Sequence, residues 1–364
     1  MFCWCHWVNV FKKEKDMKIG IYNPYFDSYG GGERYMLTAA EHWSQKHTVS
    51  VFWDDVTMIS QAEKRFALEL SRITVVPNVF KNGSLIKKLL VSSTYDFIFF
   101  LSDGSVPSTL ARYNMLNFQV PFPHIAMTPW KRTRYQAVIC YSEFTKKLLD
   151  PTLGIPVKII YPPIDIEKFE IGKKEKIILS VGRFNGLYSV KKHDVLIETF
   201  KKAIQSKKLP GWKLVIAGGM LDTDKEYFES LQKLAKGYDI EFYPNCSFEE
   251  LKKLYSVASI YWHAAGFGET DPQHMEHFGI TTIEAMASGC IPIVFAGGGQ
   301  PEIIGKNGIN GFLWNTTKEL MDETMNIVND KIKIEAIKKN AIKRAKDFSK
   351  DVFNQSIDDV LKSL

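Results

Sequence analysis

The residues best placed to do chemistry lie in the string EHFGITTIEAMASGCIPIVFAGGGQPEII, residues 276–304, where Glu276 and Glu284 stand eight positions apart around Gly279. The glycine opens a predicted helix, so the backbone amides of Gly279, Ile280 and Thr281 fall at its N-terminus. A helix leaves its first amides without intrahelical partners and carries the positive end of its dipole there, which suits a phosphate. Glu284, one turn in, is placed to accept hydrogen bonds from ribose hydroxyls, and Glu276, on the preceding loop, to face a sugar. The spacing alone leaves open an ordinary loop and helix with two solvated carboxylates; the whole string favours a site.

Gly30, Gly31 and Gly32 follow the first strand-like run and precede a helical stretch, so backbone can approach a ligand where side chains would block it. A simple turn is the alternative. The run lacks the G-x-G-x-x-G order of a dinucleotide loop, which leaves a nicotinamide-dependent oxidoreductase as a weak rival. Asp222-Thr223-Asp224 mimics an Asp-x-Asp metal motif, but it leads into KEYFESLQKL and reads as a helix N-cap. The five cysteines at 3, 5, 140, 246 and 290 fit neither a disulfide framework nor a paired zinc site. Cys3, Cys5 and His6 offer three ligands and no second pair, so no metal site is assigned.

The Glu276–Glu284 string resembles the E-x7-E signature of retaining glycosyltransferase family 4, and GGGERY at residues 30–35 supports the likeness. GGGER after a first strand together with EHFGI looks especially like the branch of eukaryotic α-1,2-mannosyltransferases that extend lipid-linked oligosaccharides. The resemblance covers the chain from about Met17 to the C-terminal helices. It implies a GT-B fold, two Rossmann-like α/β domains whose parallel sheets face an interdomain cleft. It also implies transfer of a mannose- or glucose-type hexose from a GDP- or UDP-sugar to a glycan or polyprenyl-linked acceptor, with retention. By the same likeness Arg183 and Lys191, in VGRFNGLYSVKKHDVLI, lie on the donor diphosphate, with Lys192 an adjacent alternative. Two cations there offset the charge that builds on the leaving group, so no metal or other cofactor is expected.

The resemblance further places the Gly31–Gly32 loop over the donor phosphates and Cys246 at the position whose backbone meets the base. A buried structural cysteine is the alternative for Cys246. The chain departs from the family in its first half, where a Tyr-x-His-x-Pro-like segment is replaced by NFQVPFP. Gln119 takes the place of the histidine and can hydrogen-bond a sugar hydroxyl but not accept a proton; His124 lies five residues on. That departure keeps a second reading open, a non-catalytic nucleotide-sugar-binding subunit.

These residues need two α/β halves to position them. Residues 1–16 read as an extension, since the first strand-like run is KIGIYNP. TVSVFW (48–53), ITVVP (73–77), DFIFFL (96–101) and AVICYS (137–142) follow, with helical patterns over Glu33–Trp43 and Phe144–Asp150. Pro162-Pro163 ends this half, giving an N-terminal acceptor domain over 17–164 and a donor domain over 165–364. The second half restarts with KIILSVGRF. It continues through the helix Asp194–Gln205, WKLVIAGG, DIEFYPN, the helix Phe248–Ser256, SIYWHA and IPIVF, and its last helix is expected to pack back on the first domain.

The 47 Lys and Arg are interleaved with 41 Asp and Glu, for a net charge of +6, so no basic tail points to nucleic acid. An anionic diphosphate or membrane surface suits the same balance. No stretch is long enough to span a bilayer, and Met1–Phe11 is no signal peptide, so the chain is expected in the cytoplasm. Peripheral contact with the cytoplasmic face of a membrane is expected through VFKNGSLIKKLLVSS. Phe80, Leu85, Ile86, Leu89 and Leu90 there accompany Lys81, Lys87 and Lys88, with a second patch at Trp130, Lys131, Arg132, Arg134 and Tyr135.

Overall fold

The computed structural model describes residues 16–28, 30–186 and 191–364. The expected extension, apart from Asp16, and the Cys3, Cys5 and His6 set lie outside the described residues.

The first sheet is built from β1 (Lys18–Tyr22), β2 (Thr48–Phe52), β3 (Thr74–Val76), β4 (Phe97–Leu101), β5 (Tyr113–Phe118), β6 (Ala137–Cys140) and β7 (Val157–Ile159), in the order β3-β2-β1-β4-β5-β6-β7. β1 pairs in parallel with β2 and β4, β2 with β3, and β6 with β7. All of β4, FIFFL, is buried, the continuous apolar run expected of a strand covered on both faces. Trp43, closing the helix Gly31–Trp43, meets Phe97 and Phe99 edge-on at 5.5 and 5.7 Å.

β5 and β7 escape the sequence reading. In β5, YNMLNF, two asparagines interrupt the apolar run, and asparagine is depleted in strands. The structure buries both with partners: Thr109 Oγ1 donates to Asn114 Oδ1 at 2.9 Å, and Asn117 Nδ2 donates to Tyr141 Oη at 3.0 Å. β7 has only three residues. The expected helix Phe144–Asp150 runs Glu143–Leu148 and stops there because Pro151 disfavours a helical residue before it.

The second sheet contains β8 (Glu175–Val181), β9 (Lys213–Gly218), β10 (Ile240–Pro244), β11 (Ala258–His263), β12 (Ile291–Phe295) and β13 (Phe312–Trp314), in the order β10-β9-β8-β11-β12-β13. Every neighbouring pair is parallel. Alternation sends successive residues of one strand into different cores: Ile177, Leu179, Val181 and Tyr261 join one cluster, Ile178, Ile260 and Trp262 the other. The strand order reverses between β8 and β11. In an open parallel sheet, the crevice for a ligand lies beyond the carboxyl ends of the strands at that reversal.

By packing, the described chain divides into two compact units, one reaching Leu101 with Pro107–Met115 and Pro129–Gln136, the other holding Ser102–Val106, Leu116–Thr128 and Ala137–Leu364. Within the second, the last helix Lys350–Lys362 lies near β7, where Lys158 Nζ donates to Ser363 Oγ at 3.2 Å. Ile164 pairs with Ser349 just before that helix.

Candidate functional site

At the carboxyl end of β8 the chain turns through Gly182. A Cβ on Gly182 would lie 2.9 Å from Lys191 Cγ, and one on Gly218 would lie 1.9 Å from the Gly182 carbonyl oxygen, so glycine is required for this close approach. Arg183 follows, exposed, and is paired with no carboxylate among the described residues. Lys191 does not project freely into solvent. Its Nζ donates to Glu276 Oε2 at 2.6 Å, and His263 Nε2, at the end of β11, lies 3.1 Å from the same oxygen. Oε1 accepts from no described residue.

The Glu276 side chain is 18% exposed. Burial alone pushes its carboxyl up, but the Lys191 ammonium and the His263 ring outweigh that and hold it well below the usual carboxylate range. Burial pushes the His263 ring below its ordinary range, against the pull of Glu276.

Lys192 pairs separately, with Glu269 Oε1 at 2.5 Å, and Glu269 Oε2 lies 3.5 Å from His274 Nδ1. The φ of 53° at Lys192 puts a lysine in the left-handed region at the start of the helix His193–Gln205. The adjacent alternatives of the sequence are thus separated: Lys191 reaches Glu276, Lys192 the excursion that follows β11.

Gly279 caps the helix Ile280–Ala287 with φ 126°, and a Cβ there would lie 2.7 Å from Gln300 Nε2. The amides of Thr282 and Ile283 donate back to the Gly279 carbonyl at 3.1 and 3.4 Å. The amides of Gly279, Ile280 and Thr281 come before the first intrahelical bonds. Thr281 is held from below, its Oγ1 accepting from Tyr261 Oη at 2.7 Å. Glu284 is only 5% exposed, and its Oε2 accepts from Tyr255 Oη at 3.1 Å.

Sequence reasoning gave no role to Gly297–Gly299 or to His263. Gly298 has φ 62°, a Cβ on it would fall 2.0 Å from the Glu276 carbonyl oxygen, and the Gly299 amide donates to that oxygen at 2.8 Å. The triple glycine therefore sets the backbone of Glu276. Three glycines straight after an apolar strand were the available signal, as was the histidine ending SIYWHA.

Cys246 is half-buried against the core, and the preceding Asn245, with φ 53°, clamps Met220 by accepting from its amide at 2.8 Å and donating to its carbonyl at 3.0 Å. Gln119 is partly exposed and His124 exposed.

Asp224 departs from the N-cap reading. Its carboxylate accepts from the amides of Leu221 at 3.0 Å and Gly186 at 3.3 Å rather than from the helix Lys225–Ala235, because Asp222–Asp224 forms a 3-10 turn of its own. No three His, Cys, Asp or Glu residues gather as a metal set among the described residues.

In the first unit, Gly31 and Gly32 belong to the first helical turn rather than to a loop before it. The helix starts early because Glu33, almost wholly buried, reaches back: Oε2 accepts from the Gly30 amide at 2.7 Å and Ser28 Oγ at 2.8 Å, and Oε1 from Asn23 Nδ2 at 3.0 Å. The helix Leu85–Ser92 leaves Leu85, Ile86 and Leu90 58%, 70% and 65% exposed, and Trp130 is 45% exposed. Burial lowers Lys131, with Lys88 close enough to add to the effect.

Part of the expected apolar and basic surface is core or is tied to nearby backbone instead. Phe80 is buried among Phe52, Phe100 and Tyr22, Tyr135 is buried with its hydroxyl donating to Pro107 O at 2.6 Å, and Arg134 donates to Ala111 O at 2.8 Å. No described helix is long and apolar enough to cross a membrane.

Residues 163–344 match the family described as glycosyl transferases group 1. The GDP-Man:Man(3)GlcNAc(2)-PP-Dol alpha-1,2-mannosyltransferase of Dictyostelium discoideum is 28% identical over 228 residues, covering 58% of this chain and 43% of that protein. Its human namesake is 30% identical over 195 residues, covering 49% and 37%. The matched part is thus less than half the length of these relatives. Among solved structures, a glycosyltransferase from Rickettsia africae matches with a TM-score of 0.75 at 17% identity, covering 96% of this chain and 98% of that one. Anabaena HepE, solved with UDP and glucose, matches with a TM-score of 0.69 at 18% identity, covering 96% and 100%. At such identity the likeness establishes the fold.

Proposed function

The chain belongs to the group 1 glycosyl transferases and has their two-sheet GT-B fold, and from that premise we propose that it transfers a hexose from a nucleotide diphosphate sugar with retention of configuration. One observation carries the reading: Arg183, with no carboxylate partner among the described residues, the Lys191–Glu276 pair and the helix opening at Gly279 belong to the loops following β8 and β11, where the strand order reverses. Arg183, Lys191 and the amides of Gly279, Ile280 and Thr281 bind the diphosphate, Glu284 the ribose, the backbone at Cys246 the base, and Glu276 Oε1 the hexose. The relatives' names favour GDP-mannose as donor and a lipid-linked glycan as acceptor.

In the proposed step the acceptor oxygen bonds to the anomeric carbon on the face that the diphosphate leaves. The acceptor proton passes to the departing phosphate, so no side chain needs to act as nucleophile.

The cations and helix N-terminus supply the potential that a metal would otherwise provide, so transfer is expected to be metal-independent. Purified protein incubated with GDP- and UDP-sugars, with and without EDTA, is read by mass spectrometry. Turnover of GDP-mannose, changed by less than about twofold with chelator, is the expected result. Strict dependence on manganese would restore a role to Asp222 and Asp224, and donor binding without any turnover would leave a nucleotide-sugar-binding subunit.

We further propose that the protein works at the cytoplasmic face of a membrane without crossing it. Leu85, Ile86, Leu90 and Trp130 supply exposed apolar surface beside Lys87, Lys88 and Lys131, the composition of an interfacial anchor. Co-sedimentation with anionic liposomes is expected for the wild type and lost when Lys81, Lys87 and Lys88 are all changed to Glu. If the wild type stays in the supernatant, a freely soluble acceptor is the better reading.

A further inference from the structure

Beneath Glu276 lies a chain of buried polar groups that the reading above leaves without a task. His263 is 2% exposed and ends β11 on the face of Tyr261, whose ring stacks on it with centroids 6.4 Å apart. Its Nδ1 faces Gln300 Nε2 at 3.4 Å, and Gln300 Oε1 accepts from Thr282 Oγ1 at 3.0 Å. Gln300 and Thr282 are both fully buried.

The directions of these bonds follow from chemistry. An ionised Glu276 carboxylate can only accept, so the ring atom facing it at 3.1 Å, Nε2, carries the proton. A neutral ring then offers Nδ1 as an acceptor to the Gln300 amide nitrogen, and Gln300 Oε1 is left to accept from Thr282.

We propose, resting on the transferase reading, that His263 is a positioning residue. It is a buried Nε2–H donor, fixed in that tautomer by Gln300 and Thr282, that keeps the Glu276 carboxylate aimed at the hexose when Lys191 turns to the donor diphosphate. Lys191 and His263 both engage Oε2, which leaves Oε1 without a partner among the described residues. A diphosphate competes for Lys191 with a larger negative charge than Glu276 carries. Without His263 the carboxylate would lose both anchors at the moment it is needed.

A neutral donor suits this task because it orients the carboxylate without cancelling its charge. Among the described residues, the groups that face Glu276 are Lys191 from the segment before the helix His193–Gln205, His263 and Tyr261 from β11, and His277 from its own loop.

Long-range nitrogen–proton correlation NMR on protein labelled at histidine, with His263→Gln used for assignment, reads the tautomer directly. The Nε2–H form is expected at neutral pH. In kinetics, His263→Phe is expected to lower kcat at least about tenfold with little change in donor KM. Losing an N–H donor raises the Glu276 pKa, so the acid limb of the rate profile moves to higher pH. His263→Gln, whose amide can reach Oε2, recovers most of the rate and the original limb. If His263→Phe does not fold, Gln300→Met keeps the volume, frees the tautomer and is expected to shift the same limb.

An Nδ1–H or doubly protonated ring at neutral pH overturns the proposal. So does a folded His263→Phe protein with the wild-type rate profile, or a rate loss that His263→Gln does not recover. Absence of turnover by a wild type that shows the Nε2–H form overturns the transferase reading instead.

Discussion

Glu276→Ala and Arg183→Ala each lower transfer by about a hundredfold or more while leaving the fold intact, the magnitude expected for removing one preorganised charge from a reacting centre. Neither residue belongs to the apolar core: Arg183 is exposed and Glu276 keeps 18% of its side chain accessible. The two losses differ in kind. Without Arg183 the leaving diphosphate faces one cation fewer, and both binding and the chemical step weaken. Without Glu276, Lys191 is released toward the donor and the His263 Nε2–H loses its acceptor, so donor affinity holds or improves while kcat falls. Steady-state kinetics and a thermal melt of each variant provide the check. Wild-type turnover in either folded variant would remove the residue from the site.

Gly298→Ala is expected to destabilise the protein by about 2–4 kcal/mol and to abolish transfer with it. Its φ of 62° is unfavourable for any side chain, and the new Cβ would sit 2.0 Å from the Glu276 carbonyl oxygen and 2.9 Å from the carbonyl carbon. Those are backbone atoms and cannot swing aside as a flexible side chain would. Relief requires moving the Glu276 backbone, which also breaks the Gly299 amide bond to it. Gly268→Ala is the control: its φ is 76°, but apart from its own chain neighbours no described atom lies within 4 Å of the added carbon, so only the conformational cost of about 1–2 kcal/mol applies. Denaturant melts of the two variants and their transfer rates separate steric collision from backbone preference. Equal behaviour of the two would refute the packing of the glycine turn on Glu276.

The sequence by itself determined the two α/β halves, because most of the strands are local apolar runs and most of the helices local periodicities, legible without knowing their neighbours. It also singled out Glu276, Glu284 and Gly279 by type and spacing and, through the family resemblance, Arg183 and Lys191. It missed β5 because two asparagines break the run, their polarity matched only by partners such as Tyr141, 24 positions beyond Asn117. What tertiary structure alone decided is who meets whom. Lys191 and Glu276 are 85 positions apart, and His263 reaches the same carboxylate from a third segment. Phe80 and Tyr135, apolar and close to lysines in sequence, turned out to fill the core, while Leu85, Ile86 and Trp130 stayed outside. Local pattern fixes which groups a segment carries. Which of them face one another depends on the order in which strands pair, here β8 beside β11, and that order is set by the packing of the whole sheet.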